Sequence, residues 1–277
     1  MRLILLLFMA LGYFLFNLID LKTSNEELLA NLKTDSTRMV VSTYILNGVE
    51  MRYVDIGNET KPLVIFIHGA PGSLDAFNNF LKDPDLRRKT RMMAMDRAGY
   101  GHSNFGIPET SLRKQAELIA PLLEKNRNSR KPILVGHSFG GTIAAKLAMD
   151  YPDMVGGVIL AGAAIDPEHE KFFPIARIID IPFINTVVPK SMKVANAEKN
   201  THVEELRLML ADWPKITTKV TLLHGKEDGL VPIENAYFGE NVLINAEVRM
   251  AIYEDTGHLI PWTKPGLLKK EILNFLQ

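Results

Sequence analysis

The amino-acid sequence predicts an α/β fold with a mostly parallel central sheet and helices on both of its faces. Continuous apolar, strand-like runs alternate with helical segments along most of the chain, and strands that are buried on both faces have this composition. Two further strand-like runs flank Asn47-Gly48, a dipeptide typical of tight β-hairpins. The chain has 277 residues, which is enough for one large core. We therefore expect an antiparallel hairpin that leads into a parallel sheet.

The predicted elements follow the hairpin in a regular order. Buried strands are expected in the segments PLVIFIH, TRMMAMD, PILVGH, MVGGVILAGA, KVTLLHG and EVRMAIYE. Helices are expected in SLRKQAELIAPLLEKNR and GTIAAKLAMDY, near residues 233–238, and in GLLKKEILNFL. The first of these helices is amphipathic, because Leu112, Ala116, Ile119 and Leu123 recur at helical spacing.

The regular order is interrupted between about residues 164 and 213. This stretch is rich in Pro, Phe and Ile, and it is too long to be a simple connection between two strands. We expect it to form a small helical cap over the carboxyl ends of the strands, with a helix in HVEELRLMLADW. A minority of its apolar side chains are expected to line a substrate pocket, and the candidates are Phe172, Phe173 and Phe183, with Ile178, Ile179 and Ile184 as further possibilities. The alternative is that these side chains simply pack the cap against the core.

A hydrophobic segment begins the chain. Between residues 3 and 19 its only clearly polar side chain is Asn17, and at about 1.5 Å per residue an α-helix of this length spans roughly 26 Å. A cleaved signal peptide fits less well, because cleavage after the nearest motif, residues 10–12, leaves an apolar stretch on the mature chain. We predict that residues 1–22 form a membrane-anchoring hydrophobic helix, with secretion after cleavage as the alternative.

Charged residues on either side of this segment predict its orientation. Arg2 and the amino terminus precede it, whereas Asp20, Glu26 and Glu27 outnumber Lys22 after it. Positive charge tends to stay on the cytoplasmic side of a membrane. We therefore expect the catalytic part to lie on the non-cytoplasmic side.

Residues 23–37 are predicted to link the anchor to the α/β domain, which is expected to span residues 38–277. Ser24 and Glu27 have the spacing of a helix capping box, so a short helix is expected in the first part of this linker. Residues 34–37 are polar and complete it.

Composition excludes several classes of function. Lys plus Arg and Asp plus Glu are both 32, so the formal net charge is zero and nothing favours a nucleic-acid partner. The chain contains no cysteine, which rules out disulfides, thiol nucleophiles and Cys-ligated zinc. The sequence has no clustered metal-ligand spacing such as H-E-x-x-H, and no cofactor is expected.

A glycine-flanked serine lies between a predicted strand and a predicted helix. The segment Gly136-His137-Ser138-Phe139-Gly140 has the pattern G-x-S-x-G, which alone is a weak signal. Between a strand and a helix it predicts a nucleophile elbow, because small neighbours let the serine adopt unfavourable backbone angles and expose its Oγ. The start of the following helix also favours a developing oxyanion. We predict that Ser138 is a nucleophile.

A serine hydroxyl needs a base, and the base needs a carboxylate that orients it. His258 lies in a loop after the last predicted strand, from which an imidazole can reach over the edge of the sheet. It is the candidate base. His137 is expected to pack or hydrogen-bond below the turn, and His68 and His224 are expected to be structural because each ends a strand.

Asp228 is the candidate carboxylate, since it lies just past a strand end in a loop bounded by glycine and proline. Asp166, which follows the preceding strand, is the alternative, and Glu227 is a weaker one. Asp255 precedes His258 by three residues and is expected to hold its own loop.

The order Ser138, Asp228, His258 resembles that of the α/β-hydrolase superfamily. Motifs similar to those of the family follow one another from about residue 38 to the C-terminus: HGAPGS, DRAGYGHS, GHSFGG, HGKEDGLVP and a final GH. They are similar to its oxyanion loop, its glycine turn, its elbow, its acid loop and its base. The chain most resembles the capped branch of this superfamily, which contains esterases, epoxide hydrolases and haloalkane dehalogenases. The resemblance implies an α/β-hydrolase fold.

The resemblance also implies an oxyanion hole formed by the backbone N–H groups of Ala70 and of Phe139, the residue after the nucleophile. Gly69 and Gly72 would let the backbone approach the substrate. Two departures matter. Ser138 replaces the carboxylate through which epoxide hydrolases and dehalogenases attack, which disfavours their chemistry. The loop HGAPG is similar to the HGGPG loop of proline iminopeptidases, but the elbow differs from theirs, so peptidase activity is not preferred.

The sequence therefore predicts a serine hydrolase that cleaves a carboxylic ester, or a thioester or amide, through an acyl-enzyme. An acyltransferase with the same triad and a membrane-tethered binding module without turnover are the alternatives. The expected partners are a small acyl substrate of hydrophobic character and, through the N-terminal segment, a membrane.

Overall fold

A computed structural model describes residues 22–34, 36–172, 179 and 181–277 of the chain. Its centre is a single eight-stranded sheet. In chain order the strands are β1 (Met39–Leu46), β2 (Val49–Ile56), β3 (Leu63–Ile67), β4 (Arg91–Met95), β5 (Ile133–His137), β6 (Gly157–Ala161), β7 (Lys219–Gly225) and β8 (Val248–Tyr253). Their order across the sheet is β1-β2-β4-β3-β5-β6-β7-β8. Each predicted strand is therefore present.

The sheet begins with an antiparallel hairpin and continues as a parallel sheet. Strand β2 pairs antiparallel with both β1 and β4, and every other neighbouring pair is parallel. At the tip of the hairpin, Asn47 and Gly48 have φ angles of 53° and 78°, the left-handed backbone that a tight hairpin turn requires. Because the strands from β3 to β8 run in one direction, their carboxyl ends meet at one edge.

Helices cover both faces of the sheet, as the sequence predicts. They are α1 (Asn25–Leu32), α2 (Asn78–Leu81), α3 (Pro84–Lys89), α4 (Leu112–Ile119), α5 (Phe139–Asp150), α6 (Pro182–Val187), α7 (Lys190–Met209), α8 (Glu234–Val242), α9 (Ile260–Thr263) and α10 (Pro265–Asn274). Short 3-10 helices span Leu74–Phe77, Ala120–Lys125 and Leu210–Lys215.

Alternate side chains of β3 pack into separate apolar clusters on the two faces. Ile65 and Ile67 belong to the cluster that contains side chains of α4, α5 and α8. Val64 and Phe66 belong to the cluster that contains side chains of α1, α2, α3 and α10. Burial on both faces explains why β3 is a continuous apolar run in the sequence.

The α-helix observed in SLRKQAELIAPLLEKNR is shorter than the one that the apolar pattern predicts. The α-helix α4 ends at Ile119, and the chain continues as a 3-10 helix over Ala120–Lys125. Pro121 explains the change, because proline has no N–H to donate and its ring disfavours the preceding α-helical turn.

The interruption between β6 and β7 contains α6, α7 and the 3-10 helix Leu210–Lys215. We call residues 164–213 the cap. The helix predicted at residues 202–213 covers the last part of α7 and the start of the 3-10 helix that follows it, and α7 begins twelve residues earlier, at Lys190. The sequence did not indicate this start because no side chain caps the N-terminus of α7.

The segment predicted as a linker contributes to the core. Helix α1 is capped by the Ser24 hydroxyl, which accepts the Glu27 N–H at 3.1 Å, as the capping-box spacing predicts. Leu28 and Leu32 of this helix are fully buried in one of the two apolar clusters. In addition, Arg87 donates to the carbonyl oxygen of Leu32 at 2.6 Å. Residues 25–32 are thus packed as part of the globular domain.

None of the helices within the described residues combines the length and the hydropathy that crossing a membrane requires. The predicted hydrophobic helix at the N-terminus lies outside these residues, apart from Lys22.

The packing of α1 generates a prediction about stability. Replacing Leu28 with Ala is expected to lower the free energy of unfolding by about 2–5 kcal/mol, because it leaves a cavity in the core. The matched substitution Leu208→Ala, at an exposed position of α7, is expected to change it by less than about 0.5 kcal/mol. Urea unfolding measures both. Equal effects of the two substitutions would contradict the assignment of α1 to the core.

Candidate active site

Ser138 occupies a strained turn between β5 and α5. Its φ and ψ angles are 54° and −126°, which a residue with a side chain rarely adopts. The flanking glycines make the turn possible. A Cβ atom on Gly136 would lie 2.4 Å from the Gly140 carbonyl oxygen, and one on Gly140 would lie 2.2 Å from the Ile67 carbonyl oxygen. The G-x-S-x-G pattern therefore forms the predicted elbow.

The backbone holds Ser138 in place while its side chain stays available. The Ser138 N–H donates to the Ala161 carbonyl at 3.0 Å, and the Gly141 N–H donates to the Ser138 carbonyl at 2.9 Å. The residue is half-buried and lines a cavity. Within the described part of the chain, no hydrogen bond holds the Ser138 hydroxyl, so it is available to a base.

Asp228 and His258 are brought together by the loops after β7 and β8. Asp228 Oδ2 lies 2.7 Å from His258 Nδ1. The second oxygen, Oδ1, accepts the N–H groups of Leu230 at 2.9 Å and Val231 at 2.8 Å. Burial raises the pKa of Asp228, but the hydrogen bond and charge of His258 and these backbone donors outweigh it and hold the pKa below its ordinary value. Asp228 is thus an ionised acceptor.

The carboxylate determines which nitrogen of His258 carries the proton. Since an ionised carboxylate only accepts hydrogen bonds, Nδ1 donates to Asp228 and the neutral ring has its lone pair on Nε2. His258 and Ser138 line the same cavity. Gly162 leaves room for this pair, because its own Cβ would lie 3.3 Å from both Asp228 Oδ2 and His258 Nδ1. Nε2 is therefore the atom of His258 that can act as a base.

The alternative acids are engaged elsewhere. Asp166 accepts from His169 Nδ1 at 2.7 Å, and its backbone N–H donates to Asn235. Glu227 and Asp255 are exposed. Of the carboxylates that the sequence brings into consideration, Asp228 alone is hydrogen-bonded to His258 within the described residues.

Two other histidines support the pair. His137 Nε2 donates to the His258 carbonyl oxygen at 2.9 Å, and burial together with the neighbouring His258 lowers the pKa of His137 to about 3. His224 Nε2 donates to the Val231 carbonyl at 3.0 Å, and burial lowers the pKa of His224 as well. Both rings stay neutral near pH 7 and fix the backbone of the acid and base loops, as expected of structural histidines.

The loop after β3 runs beside the nucleophile. A Cβ atom on Gly69 would lie 2.9 Å from Ser138 Cβ, so only glycine allows this approach. Ala70, which follows, and Phe139, the first residue of α5, both line the cavity. Neither backbone N–H donates a hydrogen bond to another described residue. Two free N–H groups next to a serine can bind an oxygen that gains negative charge.

The cavity has a volume of about 390 Å³. Its described lining is largely apolar on the sheet side, where Val231, Leu259 and Trp262 contribute. Ile179 and Met192 contribute from the cap. The cavity thus places a small space with an apolar wall next to Ser138.

None of the three phenylalanines predicted to bind substrate is among the described residues that line the cavity. Phe172 is 53% exposed and is not among the residues that line the cavity. Phe173 lies outside the described residues, and for Phe183 the structure describes only its place in α6. Phe172 is thus not among the described lining residues, and its role in substrate binding stays a prediction.

A polar cluster on the cap side of the cavity was missed by the sequence analysis. Glu170 accepts from the Lys199 ammonium, and its Oε1 lies 2.9 Å from His202 Nδ1. Asn196 lines the cavity beside them. Asn196, Lys199 and His202 recur at a spacing of three residues on one face of α7, a pattern that becomes visible once the full length of that helix is known.

The described residues contain no group of side chains suited to hold a metal ion.

The elbow generates a prediction about packing. The substitution Gly140→Ala is expected to lower the free energy of unfolding by about 3 kcal/mol, because its Cβ meets rigid backbone of β3. The control is Gly266→Ala in α10, where a Cβ meets nothing within 4 Å and helix propensity favours alanine. Thermal unfolding compares them. A Gly140→Ala protein as stable as the control would contradict the backbone contact.

Sequence comparison places the chain among proteins with this fold. A sequence model of the alpha/beta hydrolase fold family matches residues 62–179. Proline iminopeptidase PfmaB of Pestalotiopsis fici is 24% identical over 84% of this chain and 98% of its own length. Epoxide hydrolase 4 of Mus musculus is 31% identical over 39% of this chain and 30% of its own length.

Structural comparison agrees with this placement. The crystal structure of Cfl2 from Burkholderia cenocepacia superimposes with a TM-score of 0.70 at 19% identity, covering 88% of this chain and all of that one. The fold, the matched family and these relatives together identify the chain as a member of the α/β-hydrolase superfamily and as an enzyme of the hydrolase type.

Proposed function

We propose that this enzyme is a serine hydrolase that cleaves carboxylic esters, with Ser138 as nucleophile, His258 as base and Asp228 as the orienting acid. The observation that carries the proposal is the 2.7 Å contact between Asp228 and His258 in a cavity that Ser138 also lines. A neutral imidazole whose Nε2 lone pair shares a cavity with a strained serine is the arrangement that nucleophilic acyl transfer requires.

In the first half-reaction His258 Nε2 takes the proton of the Ser138 hydroxyl as Oγ attacks the ester carbonyl carbon. The carbonyl oxygen becomes an oxyanion and accepts the N–H groups of Ala70 and Phe139. When the tetrahedral intermediate collapses, the bond to the alcohol oxygen breaks, and His258 returns its proton to that oxygen. The products are a free alcohol and an acyl-enzyme, while Asp228 stabilises the transient imidazolium.

In the second half-reaction a nucleophile enters in place of the alcohol. With water, His258 removes a proton as the water oxygen bonds to the acyl carbon; the bond to Ser138 Oγ then breaks, His258 returns the proton to Oγ, and a carboxylic acid leaves. With an alcohol, amine or thiol the same steps transfer the acyl group, which would make the enzyme an acyltransferase. Analysis of products with and without an added acceptor distinguishes these outcomes.

The cavity supports an ester with a small hydrophobic acyl group as substrate. Its walls at Val231, Leu259 and Trp262 offer no charge to an acyl chain, and its volume of about 390 Å³ is at the lower end of small-molecule sites. The similarity to proline iminopeptidase PfmaB makes an amino-acid amide the natural comparison substrate.

We further infer that residues 1–22 anchor the enzyme in a membrane, with the hydrolase domain on the non-cytoplasmic side. The apolar run between residues 3 and 19 and the charge difference across it support this proposal. The domain holds the chain just after this run, because the Thr23 carbonyl accepts from Arg52 at 2.8 Å and lies 3.0 Å from His102 Nε2.

The proposed nucleophile is tested by labelling the full-length protein with a fluorophosphonate and measuring its intact mass. We expect one adduct on the parent and none on Ser138→Ala or His258→Ala, because the reagent reacts only with an activated serine. A folded parent that stays unlabelled, or a labelled Ser138→Ala protein, would contradict the proposal.

The same experiment distinguishes the two candidate acids. Asp228→Asn is expected to slow labelling and ester turnover by about 10⁴-fold, since an amide favours the wrong tautomer of the base. Asp166→Asn, at the alternative acid, is expected to leave both rates unchanged. The reverse pattern would assign the acid role to Asp166.

The anchor is tested by alkaline extraction of membranes from cells that express the full-length chain. The parent is expected to stay in the membrane pellet, and the double substitution Leu7→Arg with Leu11→Arg is expected to release it, because charges are costly in a bilayer. Leu208→Arg, on the exposed face of α7, serves as the control and should not change the partition. Release of the parent would overturn the proposed anchor.

A further inference from the structure

Arg97 is a fully buried cation in the loop after β4, and every N–H of its guanidinium donates a hydrogen bond. Nε donates to the His68 carbonyl at 2.8 Å, and Nη2 donates to the Gly69 carbonyl at 3.1 Å. Nη1 donates to Gln115 at 2.6 Å. The remaining two donors bind both carboxylate oxygens of Glu198 at 2.5 and 3.1 Å. Such complete pairing accounts for the burial of the charge.

Glu198 comes from the cap, near the middle of α7. Besides Arg97, it accepts from the Tyr100 hydroxyl at 2.6 Å and from Gln115 Nε2 at 2.9 Å. The side chains of both Arg97 and Glu198 are fully buried. This bidentate ion pair therefore joins the cap to the loop after β4, and the Arg97 hydrogen bonds to the His68 and Gly69 carbonyls extend the connection to the loop after β3.

The Gly69 carbonyl, one of the two that Arg97 binds, belongs to the same peptide group as the Ala70 N–H. A peptide unit is planar, and in it the C=O of Gly69 and the N–H of Ala70 point in opposite directions. A donor that fixes the carbonyl on one side therefore fixes the direction of the N–H on the other. It also polarises the peptide, which strengthens the N–H as a donor.

His68 supplies a second donor to the same carbonyl. Its Nε2 accepts the backbone N–H of Arg97 at 2.9 Å, so the proton of the neutral ring is on Nδ1. Nδ1 lies 2.7 Å from the Gly69 carbonyl oxygen and donates to it. Burial, followed by the charge of Arg97, lowers the pKa of His68 well below its ordinary value, which keeps the ring neutral.

We propose that Arg97 is a positioning residue that aims the Ala70 N–H at the substrate oxyanion, and that Glu198 makes this alignment depend on the docked cap. This inference rests on the proposed serine hydrolase. The guanidinium also lies 4.8 Å from the centre of the Phe139 ring. It therefore contacts Phe139, which carries one of the N–H donors, and Gly69, which precedes the other donor, Ala70. A displaced α7 would remove the counter-charge of Arg97 and loosen the Gly69–Ala70 peptide.

The consequence is that one element both lines the cavity and aligns the oxyanion hole. Asn196, Lys199 and His202 of α7 line the cavity, and Glu198 lies between them in sequence. A substrate that seats against α7 in its docked position thus meets an aligned donor. The effect is expected in the step that creates negative charge and not in the binding of the uncharged ester.

The test compares Arg97→Lys with a matched control. Lysine keeps the charge, but its three N–H donors share one nitrogen and cannot replace the five directed hydrogen bonds of the guanidinium. We expect kcat to fall about 10–100-fold, with KM changing by less than about threefold, since complete loss of one oxyanion donor costs about 10²–10³. The control is Arg91→Lys, which disturbs another buried bidentate pair, with Asp55 at 2.9 and 2.8 Å, and should retain the parent kcat.

A purely structural role is separated by a second readout. We would measure the affinity for a trifluoromethyl ketone, which forms an oxyanion on Ser138, and for an uncleavable ether analogue of the substrate. Concentrations are corrected for fluorophosphonate-reactive sites. We expect Arg97→Lys to weaken ketone binding by the same factor as kcat and to leave ether binding unchanged. A merely structural residue would lower the fraction of sites that react with the fluorophosphonate. It would leave the ratio of ketone affinity to ether affinity at the parent value.

Glu198→Gln keeps the shape of the side chain and provides a variant that is less disruptive to folding. It is expected to show the same selective loss in kcat and ketone affinity, at about 3–30-fold, because one neutral acceptor holds Arg97 less firmly. Parent kcat and ketone affinity in either folded variant would overturn the positioning role. An unlabelled parent would instead overturn the serine hydrolase proposal, so the two failures are distinguishable.

Discussion

The candidate site depends on a close backbone contact between the loop after β3 and the elbow after β5. At this contact a Cβ on Gly140 would lie 2.2 Å from the Ile67 carbonyl, and one on Gly69 would lie 2.9 Å from Ser138 Cβ. Because parallel neighbours end at the same edge of the sheet, the fold brings these loops together, and glycine lets them touch. The same edge supplies Asp228 from the loop after β7 and His258 from the loop after β8.

Much of this arrangement could be predicted from the sequence. Strands buried on both faces leave continuous apolar runs, and the turns that require glycine keep it at fixed positions, so the succession of strands along the chain and the elbow at Ser138 could be predicted. The pairing of Asp228 with His258 followed from their places just past strand ends. The hairpin at Asn47-Gly48 was visible because its turn requires left-handed backbone.

Other features depend on contacts between distant segments, which leave little periodic signal. The partners Arg97 and Glu198 are 101 residues apart, and nothing in the sequence pairs an arginine of a glycine turn with a glutamate of the cap. Helix α1 was assigned to a linker because its two buried leucines gave no hint of the core that receives them. In the cap, aromatic composition suggested a phenylalanine-lined pocket, whereas the described lining includes the polar side chains of Glu170, Lys199 and His202.

The most direct test of the proposed serine hydrolase is a crystal structure of the full-length enzyme after reaction with a fluorophosphonate. We expect phosphorus bonded to Ser138 Oγ and one phosphonyl oxygen about 2.7–3.1 Å from the backbone nitrogens of both Ala70 and Phe139. The contact between Asp228 and His258 should persist. An adduct on another residue, or a phosphonyl oxygen that reaches neither nitrogen, would contradict the account.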